Sequence, residues 1–156
     1  MKFIYTIMLA LFIDSHTCCM QEITKQNHLE ITQPKYDENF GIFSIIAKLN
    51  SEEIGLIKYF LNRELGPNTW AISNLKIQQD YRKKNFALIL FQECIKSIRK
   101  MGGRLVQWFV ASESDDLSNE QLKDIYLKMI NKTENIAKVN VQPIKGGHYQ
   151  IFITLN

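Results

Sequence analysis

The stretch from Ile77 to Ala87, IQQDYRKKNFA, holds the residues whose types and order could do chemistry. An apolar strand end passes into a polar turn with three consecutive cations, Arg82, Lys83 and Lys84, and then into a helix that begins around Phe86 and Ala87. A strand that feeds a helix through a short turn aims the helix's first unpaired N–H groups at whatever lies above the turn. The helix dipole adds partial positive charge at the same point. The chemistry on offer is anion binding, with the backbone amides of the turn as the main donors. Taken singly, each cationic side chain reads as part of a solvated helix start.

Two elements must position this turn. The strand before it changes phase. Trp70 and Ile72 are apolar at even positions, and Leu75 and Ile77 at odd ones. Side chains alternate faces with period 2, so a one-residue shift predicts a β-bulge near Ser73 and Asn74. A bulge interrupts pairing with a neighbour and can open a slot in a sheet. The helix after the turn carries Ala87, Phe91, Cys94, Ile98 and Met101 on one face, widened by Leu88 and Ile95. Gly102-Gly103 supplies a left-handed C-terminal cap.

The remaining segments build a sheet around that unit. His28 to Thr32 alternates as a short first strand, and Pro34 with the polar run Lys35 to Asn39 marks a turn. Phe40–Leu49 and Ile54–Leu61 read as a hairpin across the polar turn Asn50 to Glu53. Arg104 to Ala111 is a strand reached by a right-handed crossover, hence parallel to the bulged one. Ser118 or Asn119 caps a second helix to about Ile130, and Val139–Ile144 and His148–Leu155 form a hairpin across Lys145-Gly146-Gly147. The expected fold is α/β (α+β): a mixed, mostly antiparallel sheet with a central parallel pair and two main helices.

At these residues the chain resembles the GNAT acetyltransferases, the general-control-related N-acyltransferases. Their signature is an apolar strand end followed by Pro-x-Tyr-Arg-Gly-Lys-Gly-x-Gly/Ala and a helix. Its core, Arg/Gln-x-x-Gly-x-Gly/Ala, stands here as Arg82-x-x-Asn85-x-Ala87. Gln79 replaces the proline, and Asn85 replaces the central glycine. Asparagine is among the non-glycine residues that best tolerate positive φ. A second local match begins the later helix, where Asn119 and Tyr126 keep the family's seven-residue offset, although Ile130-Asn131 replaces the terminal Gly-Phe. The resemblance covers roughly residues 40–156 and is strongest over 70–126. It implies that the turn amides from Arg82 through Lys83, Lys84, Asn85 and Phe86 to Ala87 hold the pyrophosphate of acetyl-coenzyme A. It implies that Asn119 contacts the pantetheine arm and that Tyr126 is placed to protonate the leaving thiolate. In the bulged strand, the amides of Leu75 and Ile77 would hold the pantetheine and the thioester carbonyl, while their side chains read equally well as core. Asn119 read alone is an N-cap, and Tyr126 read alone is a helix-face aromatic.

Composition narrows the classes. The chain has 156 residues, enough for one domain with a real core, and a formal net charge of +3, which is too small to argue for nucleic acid. Three cysteines give no disulfide framework and no zinc-ligand spacing. Lys2 precedes an apolar run from Phe3 to Ile13 and a polar exit, the pattern of a secretory signal peptide over 1–19 and too short for a stable membrane span. Residues 20–39 then form a tail and first strand, and 40–156 the acyltransferase-like domain.

No general base stands out. Glu113 and Asp115 are candidates by location only, and His16, His28 and His148 read as surface residues without partners. The short stretch between residues 32 and 40 cannot hold the two helices that usually wall the acceptor site in the family. The expected function is transfer of an acetyl group from acetyl-coenzyme A to a primary amine, on a small molecule or a protein. The alternative is a module that kept the fold and lost catalysis.

Overall fold

The computed structural model describes residues 28–111 and 117–156. The expected leader and the loop residues Glu113 and Asp115 lie outside them. Eight strands form one sheet in the order β1-β3-β4-β5-β6-β8-β7, and β2 also pairs β3. The strands are β1 (Leu29–Ile31), β2 (Lys35–Asp37), β3 (Ile42–Leu49), β4 (Glu52–Leu61), β5 (Thr69–Ile77), β6 (Leu105–Val110), β7 (Ile136–Ile144) and β8 (His148–Leu155). Two helices follow their strands, α1 (Phe86–Lys100) after β5 and α2 (Asn119–Asn131) after β6. Among the described residues only β5 and β6 pair in parallel. The fold is the expected mixed α/β arrangement.

Some boundaries differ from the sequence reading for local reasons. Lys35 to Asp37 is a short edge strand rather than a turn, because β3 has a free edge there and Tyr36 can lay its ring on Phe43 at 4.7 Å. The β3–β4 turn is tighter than expected. Asn50 and Ser51 both take positive φ, which lets Glu52 and Glu53 join the ladder. Phe40 falls in a turn and is exposed.

The core lies between the sheet and the two helices. α1 buries Phe86, Leu90, Phe91, Cys94, Ile95 and Ile98. Met101, expected on that face, follows the last helical residue and is exposed. Trp108 of β6 is stacked between Phe91 of α1 at 5.0 Å and Tyr126 of α2 at 3.9 Å. The two helices therefore share one face of the sheet. Tyr59 is fully buried and donates its hydroxyl to Ser97 Oγ at 2.8 Å, and burial pushes its phenol pKa up to about 12. Among the described residues no buried side-chain polar atom lacks a partner.

α1 ends as the paired glycines require. Gly102 takes φ +79 and donates to Arg99, and Gly103 N–H donates to the Ile98 carbonyl at 2.9 Å. Gly103 also lets the chain pass against Trp70. A Cβ there would lie 2.3 Å from Ile98 Cγ2 and 2.7 Å from Trp70 Cδ1. Gly103→Ala is therefore expected to cost about 1–3 kcal/mol through overpacking. Urea unfolding monitored by tryptophan fluorescence would measure it, and an unchanged midpoint would contradict this packing.

Candidate functional site

The site begins with an extra residue in β5. Across the β4–β5 ladder, Tyr59 faces Ile72 and Lys58 faces Asn74, so Ser73 has no opposite. This is the expected bulge. Ser73 donates its hydroxyl to the Lys58 carbonyl at 3.3 Å, which ties the bulged residue to β4. On the other side, the parallel pairs with β6 run from Thr69–Leu105 to Ile72–Trp108 and stop. Beyond that point β5 continues to Ile77 along β4, and β6 continues to Val110 along β8. The two strands part, leaving a slot roughly 17 Å long beside residues 72–77.

Backbone alternation lines this slot with donors. Gln78 N–H donates to the Ile54 carbonyl of β4 at 2.9 Å. Successive peptide groups in a strand face opposite edges, so the amides of Leu75 and Ile77 face away from β4 and into the slot. Their side chains pack on the core, as the second sequence reading had it. The two readings are compatible because different atoms serve each.

The turn at the mouth of the slot is held from below. Gln79–Tyr81 is one turn of 3-10 helix. Gln78 Nε2 donates to the Glu53 carbonyl, and the Tyr81 hydroxyl donates to the Glu52 carboxylate at 3.3 Å. Burial and that carboxylate push the Tyr81 phenol above its ordinary range. The Tyr81 ring meets Phe86 edge-on, and Lys84 Nζ lies 5.3 Å from its centre. Arg82 folds back and donates Nε to the Ile77 carbonyl at 3.4 Å. Arg82, Lys83, Lys84 and Asn85 are all exposed.

Asn85 takes the left-handed conformation, φ 62 and ψ 6, that a glycine would take there. Its side chain makes no cap bond, and its carbonyl accepts the first helical bond, from Ile89 N–H at 3.1 Å. The N–H groups of Phe86, Ala87 and Leu88 therefore have no partner within the helix. No acidic residue stands in the first turn of α1. Lys83 also takes positive φ, at 63, a feature the sequence reading did not assign to it. The signal was available, because Lys83 occupies the first glycine position of the signature quoted above.

α2 brings the second group of residues. Ser118 is its N-cap, and a reciprocal capping box with Gln121 satisfies the first turn. Asn119 is the first residue of α2, and its Nδ2 lies 3.2 Å from Nδ1 of His148. His148, expected to be a surface residue without a partner, is half-buried at the start of β8, and its ring lies 5.7 Å from Phe109. Tyr126 lies flat on Trp108, the last β6 residue paired with β5. The offset from Asn119 to Tyr126 is two helical turns, which places both on one side of α2, about 10 Å apart. Tyr126 thus stands beside the apex of the slot and Asn119 toward its mouth. Trp108 was missed as a site residue, since an aromatic in a strand carries no mark of what stacks on it.

The chemistry of this arrangement is clear in outline. The mouth offers unpaired amides, helix polarity and exposed cations to an anion. The slot offers strand-edge amides to an extended polar chain. Three further groups carry no site of their own. Among the described residues no cluster of His, Cys, Asp or Glu could hold a metal ion. Cys94 is buried in the core, and burial pushes its thiol far up. No helix among the described residues is long and apolar enough to cross a membrane.

Comparison with known proteins decides what frame this is. The family model described as the acetyltransferase (GNAT) family matches residues 3–122. The chain belongs to the GNAT acetyltransferase family. The matched span begins inside the segment read as a leader and ends before Tyr126. Solved structures of GNAT acetyltransferases share this fold. A protein of Desulfovibrio desulfuricans described as a GNAT-family acetyltransferase has a TM-score of 0.56 at 13% identity, covering 76% of this chain and 71% of its own. The PaiA N-acetyltransferase of Thermoplasma acidophilum, solved with coenzyme A, has a TM-score of 0.54 at 17% identity, covering 74% and 62%. An acetyltransferase of Bacillus subtilis, also solved with coenzyme A, has a TM-score of 0.53 at 15% identity, covering 84% and 100%. At these identities the superpositions speak to the fold. No protein of curated function matches the sequence.

The turn before α1 thus holds side chains in two left-handed positions, Lys83 and Asn85. A non-glycine residue in that conformation costs roughly 1–2 kcal/mol, and glycine's extra chain entropy returns part of it. Lys83→Gly should raise stability by about 0.5–1 kcal/mol in urea unfolding. A loss of stability would show that Lys83 does not hold positive φ.

Proposed function

We propose that the chain is an acetyl-coenzyme A-dependent N-acetyltransferase for a primary amine. The observation that carries the reading is the slot between β5 and β6, with Leu75 and Ile77 amides along one wall and the unpaired amides of Phe86, Ala87 and Leu88 at its mouth. Coenzyme A has the matching parts. Its pyrophosphate suits the turn, and its pantetheine arm has amide groups that pair with a strand edge. Two of the GNAT structures with this fold were solved with coenzyme A bound.

In the reaction, the amine nitrogen attacks the thioester carbonyl and a C–N bond forms. The carbonyl electrons move onto oxygen, where a strand amide such as that of Leu75 stabilises the oxyanion. The oxyanion collapses, the C–S bond breaks, and the thiolate takes a proton from the Tyr126 hydroxyl. The ammonium proton passes to water, and Tyr126 regains its proton from solvent. Holding both reactants in one geometry supplies much of the rate. The stretch between β1 and β3 holds only β2, so among the described residues the acceptor side is open.

The test is release of coenzyme A thiol from acetyl-coenzyme A across a panel of primary amines. Tyr126→Phe keeps the stack on Trp108 and removes only the proton donor, so kcat should fall about 100-fold with KM nearly unchanged. Ala87→Asp puts a carboxylate where the phosphates would lie. It should abolish binding without unfolding α1, because an acidic residue favours a helix N-terminus. Equal activity of the Tyr126→Phe protein would remove Tyr126 from the mechanism. Binding of acetyl-coenzyme A with no turnover on any amine would favour the inactive module.

A further inference from the structure

We propose that the acceptor is a primary amine on an acidic peptide, bound across the helix-free face of the sheet by Lys58 and Lys76. This rests on the acetyl-coenzyme A reading above and adds the substrate class of that site. In that reading the donor comes in from the helix side. Its phosphates lie at the start of α1, and Tyr126 closes the apex from α2. The thioester then sits in the plane of the sheet, and the amine meets it from the opposite face. Among the described residues no helix covers that face, because α1 and α2 both pack on the other.

The side chains on that face follow from strand alternation. Leu75 and Ile77 pack on the core, so Asn74 and Lys76 point the other way. Ile57 and Tyr59 are fully buried, so Lys58 between them points out on the same side. Lys58 and Lys76 are both exposed. Lys58 stands opposite Asn74 across the β4–β5 ladder, at the bulge itself. Lys76 is two residues further along β5, which makes it a diagonal neighbour of Lys58 with Cβ atoms about 7–8 Å apart. It also lies between the two residues whose amides face the slot. Among the described residues neither lysine makes an ion pair. The next carboxylate along β4 is Glu53, beyond Leu56, and it already faces Lys48.

Two cations this close on one face repel each other, and an anion laid against both relieves the repulsion. An extended peptide repeats its side-chain direction every second residue, about 7 Å apart, which is the spacing of the two lysines. Alternate carboxylates on one peptide can therefore meet both. Across the slot the face continues with Phe109, which points out because Trp108 and Val110 are buried, and which is 51% exposed. That ring offers apolar contact to a peptide too long for the slot alone. A polycationic amine would meet two like charges at the same place.

The experiment uses the full chain and two peptides with free N-terminal amines, one continued by glutamates and the other by lysines. Calorimetric titration in the presence of coenzyme A reads binding, and thiol release from acetyl-coenzyme A reads kcat/KM. The acidic peptide should be preferred about 10-fold in kcat/KM at low salt, and the preference should shrink as ionic strength rises. Lys58→Gln with Lys76→Gln should erase the preference. It should leave acetyl-coenzyme A affinity within about twofold, since backbone amides hold the donor and the lysines lie on the other face. Lys58→Glu with Lys76→Glu should reverse the preference. A wild-type preference for the basic peptide, or an acidic preference that survives the double Gln variant, would overturn the proposal alone. So would turnover of other amines with no binding of either peptide, which would leave the face to a second copy or to another segment of this chain. A wild-type chain without turnover on any amine would overturn the acyltransferase reading and this proposal with it.

Discussion

A strand that carries one more residue than its neighbour bends at that residue, and its twist increases there. In β5 that residue is Ser73, and β5 pairs β6 only as far as Ile72–Trp108. The slot follows from this break. It ends the parallel pair, turns the edge of residues 73–77 away from β6, and leaves the amides of Leu75 and Ile77 without a strand to bond. It also places Trp108 at the apex, where Phe91 and Tyr126 close on it from the two helices. A sheet with unbroken pairing would have no slot, and the turn before α1 would be an isolated helix start.

The turn shows a second constraint, met in an unusual way. Positive φ at Lys83 and Asn85 lets the chain leave the 3-10 turn and enter α1 with its first amides exposed. Glycine would do this with less steric cost. Side chains are tolerated because both point into solvent and because the turn is fixed from β4, through Gln78 on Glu53 and Tyr81 on Glu52. The anchoring residues belong to β4, an inner strand of the sheet, so the conformation of the loop depends on tertiary contacts more than on local preference. In α2 the first turn is satisfied locally instead, by the capping box of Ser118 and Gln121.

Much of this was legible in the sequence, because the governing signals were periodic or local. The phase change between Ile72 and Leu75 marked the bulge. The paired glycines marked the end of α1, and the crossover rule made β6 parallel to β5. The seven-residue spacing placed Asn119 and Tyr126 on one side of α2. What the sequence did not carry was contact between distant residues. Nothing local joins His148 to Asn119, Tyr81 to Glu52, or Trp108 to Tyr126, since each pair depends on the sheet bringing remote segments together. The strand at Lys35–Asp37 failed for a related reason: its polar residues favour a turn, and the free edge of β3 overrode that preference.

Amide hydrogen exchange, read residue by residue by NMR, reports directly on the β5 edge and the first turn of α1. Acetyl-coenzyme A is expected to slow exchange at Leu75 and Ile77 in β5 and at Phe86, Ala87 and Leu88 in α1. Lys76 and Asn74, whose amides already face β4, should change little. Protection confined to other parts of the sheet, or unchanged exchange at Leu75 and Ile77 with ligand at saturation, would contradict the slot as the donor site.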